Sequence, residues 1–204
     1  MTIKALLDFI AKPESGGDYN IVWGGIKRKH KPPKPLVKMT IGEVLAWQDS
    51  IDPIYMSEAA GRYQIMEGTL SGLYAQAGLT TRDLFNEINQ DRLATQLLYR
   101  RGLQDYLDGR ISANKFANSL AKEWASLPVV SGPKKGRSYY SGDGLNKSHV
   151  SVEAFIGAVQ AARPTITVPP VIDAPIAPPS TEVATQGPWA ALVAAILSLF
   201  GGRK

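Results

Sequence analysis

The chain has 204 residues, 44% hydrophobic and 20% charged, which allows one domain of ordinary size with an appendage. It has no cysteine and two histidines, His30 and His149, neither in a ligand spacing; disulfides, thiolate catalysis and cysteine-ligated zinc are excluded, and no metal or other cofactor is implied. The net charge of +5 favours an anionic partner, but the cations gather in loop-like stretches at 27–34 and 134–137 and not on an aromatic-interleaved helix, which argues against nucleic acid.

Residues 2–12 place Ile3, Leu6, Leu7 and Ile10 at helical spacing behind Thr2, and Pro13 stops or bends that helix. No apolar h-region or cleavage site follows, so the segment reads as part of the domain, not as a secretory signal, and synthesis in the cytoplasm is expected. Glu14 then stands where helix passes into the loop of Ser15, Gly16 and Gly17. "YNIVWGG" and "PLVKMT" read as two short strands on either side of the basic, proline-rich loop. "TIGEVLAWQDSI" opens with Thr40 and Glu43 in capping-box spacing and predicts a helix. "SEAAGRYQIMEGTL" reads as a turn, an extended piece and a helix through Ala77, with Gly78 as its C-cap.

Helices follow over 86–101, where Leu93, Leu97 and Leu98 share a face, and over 112–125, where Phe116, Leu120 and Trp124 recur every four residues. That spacing marks Trp124 as core. A loop rich in Gly, Ser and Tyr covers 129–148, and 152–162 is a last helix capped by Ser151. Three parts result: a domain over 1–163, a proline-rich linker over 164–188, and a C-terminal helix over 189–204. In that helix Trp189, Leu192, Val193, Ile196, Leu197 and Phe200 form one apolar stripe. About 12 helical residues span about 18 Å, short of the ~30 Å hydrocarbon layer. The stripe suits a membrane interface, with Arg203 and Lys204 at the headgroups, or docking on the domain or a partner chain.

Taken on its own, Glu14 has two readings. A carboxyl at a helix C-terminus meets the negative end of the macrodipole, and partial burial raises its pKa further, which suits a general acid. The alternative is an exposed, idle carboxylate at a helix end.

Three motifs bear on that choice: "PESGGDYNIVWGG" from Pro13, "AAGRYQIM" at 59–66 and "EWASLP" at 123–128. In this order and at these distances they resemble the bacteriophage lambda endolysin family over roughly residues 5–130. Glu-Ser followed by Gly61 and Gln64 is also similar to the pattern of lysozyme-like lytic transglycosylases. The resemblance implies an α+β, mainly α, lysozyme-like fold, with a small β-containing lobe at about 18–66 and a helical lobe. It implies that Glu14 is the catalytic acid, protonating the glycosidic oxygen between N-acetylmuramic acid and N-acetylglucosamine. Ser15, Tyr63 and Gln64 are implied as substrate-binding residues: Ser15 on the acid or the sugar, Tyr63 stacking on a sugar, Gln64 on an acetamido group.

Hydrolytic phage lysozymes carry an aspartate nine residues beyond the glutamate and a threonine six further on; Trp23 and Lys29 stand at those positions here. With one carboxylate, the sugar's own 6-hydroxyl can attack, leaving a 1,6-anhydromuramoyl end. This lytic transglycosylase reaction is the expectation, and a hydrolytic muramidase using Asp18, Asp49, Asp52 or Glu58 is the alternative. The expected setting is host lysis by a monomer held in the host cytoplasm until the membrane opens, then acting on peptidoglycan glycan strands in the periplasm. A virion-associated wall lysin, a wall-binding module without catalysis, and membrane disruption by the 189–204 tail are the other readings.

Overall fold

The computed structural model describes residues 2–142 and 146–163, within a compact unit that runs Met1–Thr165. The expected linker over 164–188 and helix over 189–204 lie outside the described residues. Seven helices are found among these residues: α1 (Ile3–Ser15), α2 (Ile41–Ile51), α3 (Glu67–Leu73), α4 (Glu87–Arg100), α5 (Leu103–Leu107), α6 (Ala113–Leu120) and α7 (Val152–Ala162). The fold is α+β and mainly α, as expected, its β component reduced to isolated bridges.

Side-chain caps set most of the helix starts. The Thr40 hydroxyl accepts from the Glu43 N–H, and the Glu43 carboxylate accepts from the Thr40 N–H, closing the capping box of α2. Asn86, Ser112 and Ser151 each accept from the N–H three residues on, opening α4, α6 and α7.

Helix α1 departs from expectation, because it runs through Pro13 to Ser15. Proline removes one N–H from the ladder, and later contacts hold the last turn. Ala11 and Ser15 are buried, the Ser15 hydroxyl is bonded to Ala11 O, and Gly16 in the left-handed region (φ 65°) ends the helix with its N–H on Lys12 O. Glu14 therefore belongs to the final turn of α1.

The two expected strands do not pair with each other. Residues 21–23 meet 59–61 instead, through the Val22–Ala60 bridge, and 60 pairs on with Ile65. Prolines 32, 33 and 35 cannot donate to a ladder, and the chain takes 3-10 turns at Arg28–His30 and Leu36–Lys38. Helix α3 also ends earlier than expected, at Leu73; Gly78 (φ 66°) closes the turn after it.

The core is built by α1 against α7 and α4, and by α7 against α6. Phe9 stacks on Phe155 at 6.1 Å and Tyr106 on Phe116 at 5.0 Å. Leu6, Ile10, Leu93, Phe116, Leu120, Phe155 and Val159 are buried, each contributing about 1.5–3 kcal/mol by leaving water. This packing fixes the C-terminal end of α1, where Glu14 sits.

Candidate active site around Glu14

Three distant segments meet at the end of α1. Glu14 Oε1 accepts from the Ser126 hydroxyl at 2.5 Å and from the Ser126 N–H at 3.3 Å. The Ser15 hydroxyl bonds to Arg62 O at 2.7 Å, and the Trp124 indole N–H donates to Tyr63 O at 3.2 Å. Residues 14–15, 62–63 and 124–126, one pair or triplet from each quoted motif, thus form one hydrogen-bonded cluster.

Glu14 is half-buried. Burial pushes its carboxyl above the ordinary glutamate range, while the two Ser126 hydrogen bonds and nearby His149 pull the other way. Among the described residues, Ser126 and His149 are the groups that act on it, and neither is a carboxylate. Its Oε2 takes no hydrogen bond from the described residues, so the proton of the neutral acid has that oxygen to occupy.

The turn at 61–64 is held by a residue that the sequence did not flag. Gln90, 1% exposed, accepts the Arg62 N–H on Oε1 at 2.9 Å and donates through Nε2 to Tyr19 O and Phe85 O. It joins the segment leaving α1 to the turn opposite. Gly61 sits at φ 74°, and a Cβ there would lie 2.3 Å from Gln90 Oε1. Only glycine fits this approach.

The four expected site residues divide. Glu14 is half-buried, with one oxygen held and the other without a partner among the described residues. Gln64 is half-buried next to this cluster; its Nε2 donates to Gly61 O at 2.9 Å, and its backbone takes φ 49°, a conformation few side chains adopt. Ser15 and Tyr63 do not match the expectation of substrate contact. Ser15 is buried, with its hydroxyl shared between Ala11 O and Arg62 O and also accepting the Gly17 N–H. Tyr63 is 1% exposed, and its hydroxyl donates to Asp91 Oδ1 at 2.6 Å; burial first, then Asp91, raises its pKa well above the phenol range. No face of that ring is open to a sugar. Both residues brace the site from behind.

Arg62 completes the brace. It pairs with Asp8 on α1 at 2.6 Å and lies over the Tyr19 ring at 4.8 Å from its centroid. Trp124, read from its spacing as core, is 3% exposed. Sequence reasoning passed over Ser126 although it stands in "EWASLP", because a serine there has no spacing signal of its own. It passed over His149 as well; the His149 N–H donates to Ser126 O at 2.9 Å.

The candidate second carboxylates lie elsewhere in role. Asp18, Asp49 and Asp52 are exposed, and Asp18 Oδ1 accepts the Asn20 N–H of its own turn. Glu58 is buried and accepts the Glu67 N–H at the start of α3. Trp23, which stands nine residues beyond Glu14, packs edge-on against Tyr55. Among the described residues no group of His, Asp or Glu side chains is arranged to hold a metal ion.

A solved structure of bacteriophage lambda lysozyme complexed with a chitohexasaccharide is similar at 22% identity and a TM-score of 0.45, covering 78% of this chain and 92% of that one. No curated protein sequence matches. The family model described as Endolysin matches residues 46–154, more than half of the 204 residues, taking in the 61–64 turn and the 124–128 segment. On that match the chain belongs to the endolysin family.

Proposed function

We propose that the chain cleaves the β-1,4 bond between N-acetylmuramic acid and N-acetylglucosamine in bacterial peptidoglycan during host lysis, acting as a lytic transglycosylase with Glu14 as its acid and base. The observation that carries this reading is the state of Glu14: half-buried, raised in pKa by burial, held on one oxygen by Ser126, and, among the described residues, acted on by no second carboxylate. Hydrolysis in the usual manner needs two carboxyl groups, about 5–5.5 Å apart for retention or about 6.5–9.5 Å for inversion. One carboxyl suffices if the nucleophile is already in the substrate.

Neutral Glu14 gives its proton to the glycosidic oxygen as the bond from that oxygen to the anomeric carbon breaks. The muramoyl 6-hydroxyl oxygen then bonds to the anomeric carbon, and its proton passes to the Glu14 carboxylate, which restores the acid. No water enters. Tethering of the attacking hydroxyl removes the entropic cost of bringing in a separate nucleophile. Ser126 is a positioning residue here: its two donors hold Oε1, leaving Oε2 to carry the proton. Gln64, beside the cluster, supplies an amide for a substrate acetamido group.

The test is mass spectrometry of muropeptides released from purified peptidoglycan. The expected products lack a reducing end and are lighter by one water. Reducing products that carry oxygen from labelled water would replace this reading with a hydrolytic one, and Asp18, Asp49 and Asp52 would then be tested for the missing carboxylate.

A further inference from the structure

We infer that the basic loop at 27–38 is a docking surface for the acidic peptides carried on the glycan strand, and so a second point of substrate recognition. The inference rests on the peptidoglycan reading of the Glu14 site. Between 27 and 38 the chain holds six cations, Lys27, Arg28, Lys29, Lys31, Lys34 and Lys38, and no acid. Among the described residues only Lys34 has a carboxylate partner, Glu43 at 2.8 Å. The other five are exposed.

A merely solvated basic loop has no need of a fixed shape, and this one is fixed. The His30 ring pairs with the Tyr55 hydroxyl at 2.8 Å, the Lys27 N–H donates to that same hydroxyl, and the Trp47 indole N–H donates to His30 O at 2.9 Å. The Val37 N–H donates to Asn20 Oδ1, and Pro32, Pro33 and Pro35 restrict the backbone between these anchors. Self-repelling cations are thereby held in place before any ligand arrives, which lowers the ordering cost of binding.

The loop also walls a groove of about 520 Å³, whose other side is the 18–22 segment, with Asn20, Ile21 and Val22 facing Lys31, Lys34 and the prolines. Asp18 is the one acid on its rim, and its Oδ1 is occupied by the Asn20 N–H. The 18–22 wall starts four residues beyond Glu14 and is bridged to Ala60, next to the 61–64 turn. A glycan lying across Glu14 therefore has beside it a groove with Lys31 on its wall, and the exposed Lys27, Arg28 and Lys29 stand on the same loop. Free carboxylates on short peptides with small aliphatic side chains match both the charge and the Ile, Val and Pro surface.

The experiment compares the full chain with the triple variant Lys27→Gln, Lys29→Gln, Lys31→Gln on purified peptidoglycan and on the same glycan stripped of its peptides by an amidase. Thermal melting first confirms that the variant is folded, as its three exposed positions predict. We expect the variant to raise KM about tenfold on the peptide-bearing polymer with kcat unchanged, and to match the parent on bare glycan. Raising salt, which shortens the Debye length to about 8 Å at physiological strength, should reproduce the variant's effect in the parent. An equal KM change on both polymers, or none on either, overturns the inference. So does a variant that loses binding only to phosphatidylglycerol vesicles, which would make the loop a membrane contact. If the parent cleaves neither polymer, the proposed reaction fails, and co-sedimentation with the two polymers still decides the docking question by the same criteria.

Discussion

Replacing Gly61 with alanine tests whether the 61–64 turn is held as tightly as its contacts indicate. The left-handed conformation at φ 74° costs an L-residue about 1–2 kcal/mol. The new Cβ would sit 2.3 Å from Gln90 Oε1 and 2.9 Å from Phe85 Cε1, both buried, so overpacking adds about 1–3 kcal/mol. Moving the Gln90 amide aside loses its bond to the Arg62 N–H, about another 1 kcal/mol. The sum is about 3–6 kcal/mol, a large part of the ~5–15 kcal/mol available to a domain. Gly16→Ala is the control, because Gly16 has φ 65° with nothing within 4 Å of a Cβ, and only the conformational cost of about 1–2 kcal/mol applies. Urea unfolding followed by circular dichroism measures both. Losses of equal size in the two variants would refute the argument, since the clashes with Gln90 and Phe85 and the bond they displace are what separate the two.

Glu14→Gln should abolish release of muropeptides while making the domain more stable near neutral pH. The native pKa of Glu14 is raised, so the native state holds its proton more tightly than the unfolded chain, and stability falls as pH rises from about 4.3 through the native value. Glutamine lacks that loss; the variant's advantage in Tm should appear across this window and vanish below it, and a variant melting lower than the parent at neutral pH would count against a buried, penalised carboxylate. Ser126→Ala removes a hydrogen bond that favours the ionised form, so the basic limb of the pH–rate profile should move to higher pH and kcat fall by about tenfold. Tyr63→Phe should cost about 1 kcal/mol of stability, from the lost bond to Asp91, with kcat and KM of the folded enzyme unchanged; a raised KM would return Tyr63 to the substrate surface.

Local rules carried the helical part of the fold. The capping box of Thr40 and Glu43 and the Ser151 cap are signals within a few residues of one another, and each is realised; Phe116, Leu120 and Trp124 are all buried as their repeat predicts, but the helix expected over 112–125 ends at Leu120, and Trp124 reaches the core from the turn beyond it. What depended on distant partners was harder to read. "YNIVWGG" has strand composition, but its partner is 59–61 because prolines deny the nearer candidate a ladder. Pro13 reads as a helix stop, yet a hydroxyl 47 residues from its partner carbonyl helps to hold one more turn. Glu14 and Gln64 stood out in their motifs. Ser15 and Tyr63 did too, but a motif residue can be a support as readily as a contact, and only burial separates the two. Gln90 gave no signal at all, since a buried glutamine on a helix is recognisable only once its three partners are in place.

The proposed reaction uses one carboxyl in both of its states, and the surroundings of Glu14 suit that reaction by opposition. Burial favours the neutral acid, the form that protonates the leaving oxygen. The last turn of α1 adds the negative end of the helix dipole, which acts in the same direction. Against these stand the Ser126 hydroxyl and N–H, which favour the carboxylate that takes the proton back. Either influence alone would leave one half of the cycle uphill: an acid too reluctant to let go, or a carboxylate already ionised when the substrate arrives. The opposing terms also come from different parts of the chain, burial and dipole from α1 and the hydrogen bonds from residue 126. The balance therefore exists only when α1, the 61–64 turn and the 124–126 segment are locked together. This gives Ser15, Arg62, Tyr63 and Gln90 their importance: none of them needs to touch the glycan for its loss to shift the proton on Glu14.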